Sequence, residues 1–231
     1  MRLNVALILA VLILHGTTSN AQAGFRATLN PTVGSGLTPG HGTPDYVVRI
    51  DWTQNPTAGG HTAQWIDQNY SSFCIEHNQS VYFGGTYRYE THSLEGTPNP
   101  GFGTGMGTEQ ADQIRRLWAV NRQSLGTDNH KNAAFQEAIW LILDPNFRVD
   151  AVVQSQVDAY VADSKNTAYA KANLVALTNS AYQDQVVELK DGWTVNSFGD
   201  VVPTPVPPAL VLVLTGIIPL AISRRSSREA R

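Results

Sequence analysis

Phe73-Cys74-Ile75-Glu76 and Ala133-Ala134-Phe135-Gln136-Glu137-Ala138-Ile139-Trp140 are the two stretches that decide how this chain is read. The first alternates as a strand does, with Phe73, Ile75 and His77 on one face and Cys74, Glu76 and Asn78 on the other. The second is a compact apolar helix that carries a glutamine, with Ala133, Gln136 and Trp140 on one side of it. Cys74 is the only cysteine among 231 residues. An unpaired cysteine in an exported chain has three readings: a buried inert thiol, half of an intermolecular disulfide, or a reactive thiol with a partner inside the fold.

Export is itself read from the start of the chain. Met1-Arg2 is basic, Val5 to Leu14 is apolar, and Ala21-Gln22-Ala23 supplies small residues at Ala21 and Ala23. That order is a secretory signal peptide over residues 1–23. At the other end, Ala209 to Ile222 is mostly apolar and is followed by Arg224 and Arg225. It is shorter than the roughly 20 apolar residues that a membrane-spanning helix needs. A Pro-rich segment precedes it, a layout suited to a sorting signal held in the membrane before processing.

Between these ends the order of local patterns runs strands, helices, strand. Residues 24–45 are rich in Gly, Pro and Thr and predict an extended lead-in or irregular loops. Tyr46 to Trp52, Thr62 to Ile66, Ser72 to Ser80 and Val81 to Glu90 predict strands. Thr108 is a candidate N-cap for a helix through Ile114, Leu117 and Trp118. A second helix runs from about Asn129 to Leu143, ending at Asp144-Pro145 because proline disfavours helical geometry in the residue before it. Further helices are predicted over 149–163 and 168–181, and Val186 to Lys190 returns to strand. The order predicts an α+β fold, a β-sandwich or barrel framework with an inserted helical subdomain, occupying 46–195. A Pro-rich linker with a sorting motif (196–208) and an apolar sorting helix with its basic tail (209–231) follow.

The whole chain carries a net charge of −3. Without Arg2 and the last eight residues, the remainder carries −7 (11 basic against 18 acidic). No basic footprint for nucleic acid is present. The six histidines are scattered without metal-ligand spacing, so neither a metal nor another cofactor is expected. A papain-like hydrolase, with Cys74 as nucleophile and His77 or His130 as base, is disfavoured because such a cysteine sits at a helix N-terminus rather than on a strand.

The chemistry that joins a cysteine to a glutamine is acyl transfer. A thiol attacks the carboxamide carbon, ammonia leaves, and a thioester stores an activated acyl group until an amine takes it. Glu76, on the face of Cys74, is positioned by alternation to orient the thiol or shuttle a proton, and equally to raise the thiol pKa. Trp140 would stand beside the amide.

These residues resemble the surface thioester domains of bacterial adhesins. Phe73-Cys74-Ile75-Glu76 is similar to their F/Y-C-x-D/E-like strand motif, and Gln136-Glu137-Ala138-Ile139-Trp140 to their Q-x-A-I-W-like helix motif. The residue before the glutamine is Phe135, where the family often has threonine. The resemblance implies a Cys74–Gln136 thioester that acylates an amine on a surface protein or extracellular polymer, a single-turnover attachment rather than an enzyme activity. The alternative is a non-covalent matrix or adhesion module with an inert buried cysteine. Val202-Pro203-Thr204-Pro205 with Arg224-Arg225 resembles the PEP-CTERM sorting signal of Gram-negative bacteria, with Thr204 in place of glutamate. That resemblance implies an exosortase-type enzyme as partner and delivery from the inner membrane to the cell surface or extracellular matrix.

Overall fold

A computed structural model describes residues 25–29, 49–54, 63–77, 79–82, 84–97 and 105–205. The expected signal segment with Ala21 and Ala23, and the expected sorting segment with Arg224 and Arg225, lie outside the described residues. The architecture is α+β, and of the two expected frameworks a closed barrel forms. Its strands are β1 (Phe25–Leu29), β2 (Ile50–Gln54), β3 (Asn69–Cys74), β4 (Thr86–His92), β5 (Leu174–Thr178) and β6 (Gln185–Glu188). They pair antiparallel around the barrel in the order β1-β2-β3-β6-β5-β4. Closure leaves no free edge on these six strands.

Between β4 and β5 come the helices α1 (Gly107–Asn121), α2 (Asn129–Leu143) and α3 (Gln154–Lys165). They form the inserted layer that the strand-helix-strand order predicts. Asp128 caps α2 by accepting from the backbone N–H groups of His130 and Lys131. Thr108 does not cap α1. The helix starts at Gly107, whose N–H donates to Glu95 O at 3.1 Å, so a tertiary contact sets its start.

Strand alternation divides the barrel wall into two environments. Trp52 stacks on Tyr70 with ring centroids 6.2 Å apart and meets the edge of Tyr89 at 5.6 Å, filling the interior. Phe73, next in line, faces outward against the helices. Its ring lies 4.7 Å from Phe135 of α2 and 5.7 Å from Trp118 of α1. Each aromatic contact of this kind adds about 0.5–1.5 kcal/mol beyond the area buried.

Several local expectations differ from what forms. Phe25–Leu29, inside the expected lead-in, pairs with both β2 and β4 and closes the barrel. The helix expected over 168–181 is β5 instead. Leu174, Val175, Ala176 and Leu177 are all buried, because helices cover one face and the barrel interior the other. A continuous apolar run buried on both faces lacks the period of two that marks a half-exposed strand. The strand expected at Thr62 to Ile66 is a turn over its described residues. Gln54 holds it by donating to Ala63 O, Ile66 O and Asp67 O, while its Oε1 accepts from Ala63 N. The helix expected from 149 begins at Gln154.

Within the expected linker, Val201–Pro203 forms β8 and pairs with β7 (Trp193–Val195). Val202 and Pro203 of the expected sorting motif are therefore in a two-stranded sheet. Thr204 N donates to Gly192 O at 2.8 Å, and Thr204 and Pro205 are exposed.

Candidate functional site

Cys74 is the last residue of β3, and its Cα partner across the ladder is Gln185 of β6. Ile75 N donates to Asp184 O at 3.0 Å, so the neighbouring pair is hydrogen-bonded and the Cys74–Gln185 pair is not. Two consequences follow. The side chains of Cys74 and Gln185 share the face turned away from the helices, opposite Phe73 and Val186. And the N–H and C=O of Cys74 point away from β6, toward the side of β2.

β2 pairs only as far as Ile50, opposite Ser72, so Cys74 lies beyond its last rung. Gln136, at the centre of α2 and 0 % exposed, supplies what is missing. Cys74 N donates to Gln136 Oε1 and Gln136 Nε2 donates to Cys74 O, both at 2.7 Å. One side-chain amide thus copies both bonds of a strand partner. The structure brings Gln136 and Cys74 together as the sequence suggests, but it joins the amide to the backbone of Cys74, with Phe73 rather than the sulfur facing the helical layer.

The sulfur meets two other glutamines. Cys74 Sγ donates to Gln183 Oε1 at 2.8 Å, and Gln185 Nε2 donates to Cys74 Sγ at 3.2 Å. Gln185 Oε1 is 3.6 Å from the sulfur and is held by the Ser72 hydroxyl at 2.8 Å. Ser72 in turn accepts from Trp52 Nε1 at 2.6 Å. This chain fixes Gln185 with its nitrogen toward the sulfur. Gln183 presents its carbonyl. With a C=O bond of about 1.23 Å, its carboxamide carbon lies no more than about 4 Å from the sulfur. Gln183 Nε2 donates to Glu76 O at 2.6 Å, completing the orientation.

These two glutamines were missed by the sequence reading. The signal was Gln183-Asp184-Gln185 directly before Val186-Val187, where extended alternation turns two amides to the same side.

Burial pushes the Cys74 thiol up to about 12, with the charge of Glu76 adding to the rise and the hydrogen bond from Gln185 opposing it. The resting thiol is therefore neutral and shielded. Glu76 is 4 % exposed. Its Oε2 accepts from Asp184 N at 3.0 Å, and its Oε1 is buried with no hydrogen-bond partner among the described residues. Trp140 is buried, with its ring 6.3 Å from His77 and 5.3 Å from Phe147. It packs beside the segment that follows Glu76. No group of His, Cys, Asp or Glu among the described residues is arranged to hold a metal ion.

No protein-family model matches the chain, and no curated protein does either. Two similar solved structures are the N-terminal thioester domain of a surface protein from Clostridium perfringens and a cysteine-to-alanine mutant of that domain. The first has a TM-score of 0.45 and 16 % identity, covering 72 % of this chain and 99 % of that one. The second has a TM-score of 0.42 and 15 % identity, covering 72 % and 98 %. A likeness this distant assigns no activity to this chain.

Proposed function

We propose that this chain is a surface adhesin that attaches covalently through an internal thioester, and that the acyl partner of Cys74 is Gln183. One observation carries the proposal: the Cys74 sulfur lies 2.8 Å from the Gln183 carbonyl oxygen inside a site closed to solvent. Placing nucleophile and electrophile in fixed contact is equivalent to a local concentration on the order of 10⁵–10⁸ M. That offsets the weak nucleophilicity of a neutral thiol. In forming the bond, sulfur attacks the Gln183 carbon, the thiol proton passes to the departing nitrogen, and ammonia leaves. Exclusion of water then keeps the thioester from hydrolysis. A thiol with a raised pKa is also a poorer leaving group, which preserves the bond until an amine arrives.

In this reading Gln136 is the clamp that holds Cys74 at the strand end, and Gln185 is the donor that steadies negative charge on sulfur. Attack by an amine of a surface protein or extracellular polymer opens the thioester and leaves a stable amide, once per molecule. Export by the signal at 1–23 and sorting through Val202-Pro203-Thr204-Pro205 and an exosortase-type partner would deliver such a protein to the cell surface. Intact mass spectrometry tests the chemistry. The folded protein should weigh one ammonia less than its sequence, and methylamine should restore the thiol and leave a methylated amide at Gln183. Full sequence mass in freshly folded protein refutes the thioester.

A second reading, a non-covalent adhesion module with an inert cysteine, has one observation in its favour, the burial of Cys74, which also raises its thiol pKa. The same mass measurement separates the two.

A further inference from the structure

Away from the sulfur, the surface opens into a recess of about 590 Å³. Glu76, Gln79, Arg88, Glu90, Asn179 and Asp184 are among the residues that line it, and every described residue of the lining is polar. Alternation along β4 turns Arg88 and Glu90 outward, opposite the buried Tyr87 and Tyr89. Both are exposed, and neither side chain has an ion-pair or hydrogen-bond partner among the described residues. Two oxygens of the lining are uncommitted as well. Glu76 Oε1, on a residue 4 % exposed, and Gln79 Oε1 are buried with no hydrogen-bond partner among the described residues. Buried polar atoms in this state cost free energy unless a bound molecule supplies the missing bond.

The chemistry of the lining decides the class of ligand. An apolar molecule finds no apolar wall here. Burial, the main cause in each case, raises the pKa of both Glu76 and Asp184, Asp184 to about 7, so neither favours its charged form. The charges that remain at the opening, Glu90 and Arg88, are opposite and equal, which selects neither an anion nor a cation. A hydroxyl suits all of these groups, because it donates to an amide or carboxylate oxygen and accepts from a guanidinium or a protonated carboxyl. The match is a neutral molecule that carries several hydroxyls.

Two exposed tyrosines flank the recess and narrow the class further. Tyr82 is 67 % exposed and Tyr182 is 36 % exposed. Tyr182 lies between Ser180 and Asp184, both in the lining, and its ring meets that of Tyr87 with centroids 4.6 Å apart. Tyr87 also holds Tyr82: its Oη accepts from Tyr82 N at 2.8 Å and donates to Tyr82 O at 2.9 Å. Asn179 ties the loop to β4, since its Nδ2 donates to Arg88 O at 2.8 Å and its Oδ1 accepts from Tyr182 N at 3.2 Å. Tyrosine rings held in this way offer apolar area at little entropic cost. A sugar ring presents the complement, an apolar C–H face with hydroxyls at its edges. We infer that this recess is a reversible binding site for a neutral saccharide, its hydroxyls bonded to Glu76, Gln79, Arg88 and Glu90 and one ring face against Tyr182. The site is lined by neither Cys74 nor Gln183 and does not rest on the thioester reading.

Affinity electrophoresis of the full chain tests it, in native gels containing dextran, laminarin, galactomannan or arabinoxylan, with alginate as an anionic control. At least one of the four neutral polysaccharides should retard the wild type, and alginate should not. Arg88→Ala and Tyr182→Ala should each weaken the affinity by about tenfold or more, through loss of a charge-assisted hydrogen bond or of a ring contact. Cys74→Ala, which cannot form a thioester, should be retarded like the wild type. Because Arg88 is exposed, Arg88→Ala decides the question even if Tyr182→Ala does not fold. Retardation by none of the neutral polysaccharides, equal retardation by alginate, or an Arg88→Ala variant that binds like the wild type overturns the site. Loss of retardation in folded Cys74→Ala overturns it too, by assigning the capture to the sulfur. The mass of the wild type, read separately, decides the thioester whichever way these gels run.

Discussion

Replacing Gln136 by alanine separates a clamp from an acyl partner. The substitution removes two buried hydrogen bonds, each 2.7 Å long, and strands the N–H and C=O of Cys74 beyond the last rung of β2. Gln136 is 0 % exposed, so the side chain is lost from a closed interior and no bulk water replaces it. Each stranded group costs about 1–3 kcal/mol, giving about 2–6 kcal/mol in total. For a domain of this size that lowers the melting temperature by roughly 4–24 °C. Thermal unfolding followed by circular dichroism measures the loss, and intact mass reports the bond in the same sample. The expected result is a less stable protein that still sheds one ammonia, because Gln183 remains. Gln136→Glu sharpens the test: an ionised carboxylate accepts from Cys74 N but repels Cys74 O, so this variant should be destabilised more at neutral than at acid pH. If Gln136→Ala melts with the wild type and shows full sequence mass, or if methylamine labels Gln136, the clamp assignment is wrong.

The remaining expectations concern the sulfur's neighbours, the buried acids and the layer interface. Gln183→Ala should retain its full sequence mass, whereas Gln185→Ala should still lose ammonia but more slowly in a time course after refolding. Asp184 and Glu137 are raised to about 7, in both cases chiefly by burial. A raised carboxyl holds its proton more tightly in the folded state, so its stabilisation is complete below the unfolded pKa near 4 and is lost as pH rises through 7. Each contributes up to about 3–4 kcal/mol between those limits. The melting temperature should therefore fall from pH 5 to pH 8, and Asp184→Asn with Glu137→Gln should flatten that dependence; a flat wild-type profile contradicts it. Phe73→Ala should cost about 3–5 kcal/mol in denaturant unfolding, since its ring fills the contact between barrel and helices; a cost under 1 kcal/mol would show that the helices dock without it.

What the sequence determined by itself was local. Alternation around Cys74 put it on a strand, the apolar period and Asp144-Pro145 bounded α2, and the order of strands and helices gave the α+β class. The lone cysteine and the glutamine at 136 were paired through acyl-transfer chemistry and a family resemblance, and the contact that forms runs through the backbone of Cys74. Which glutamine meets the sulfur was decided only in three dimensions. Alternation says that Cys74 and Phe73 face opposite ways, but not which of them faces the helices; closure of the barrel settles that by turning Phe73 outward and the sulfur away from α2. The register of β3 against β6, joining residues 111 positions apart, then brings Gln183 and Gln185 to the thiol. Register between distant strands is set by the packing of whole faces and by chain closure, and neither leaves a mark within the few residues around Cys74.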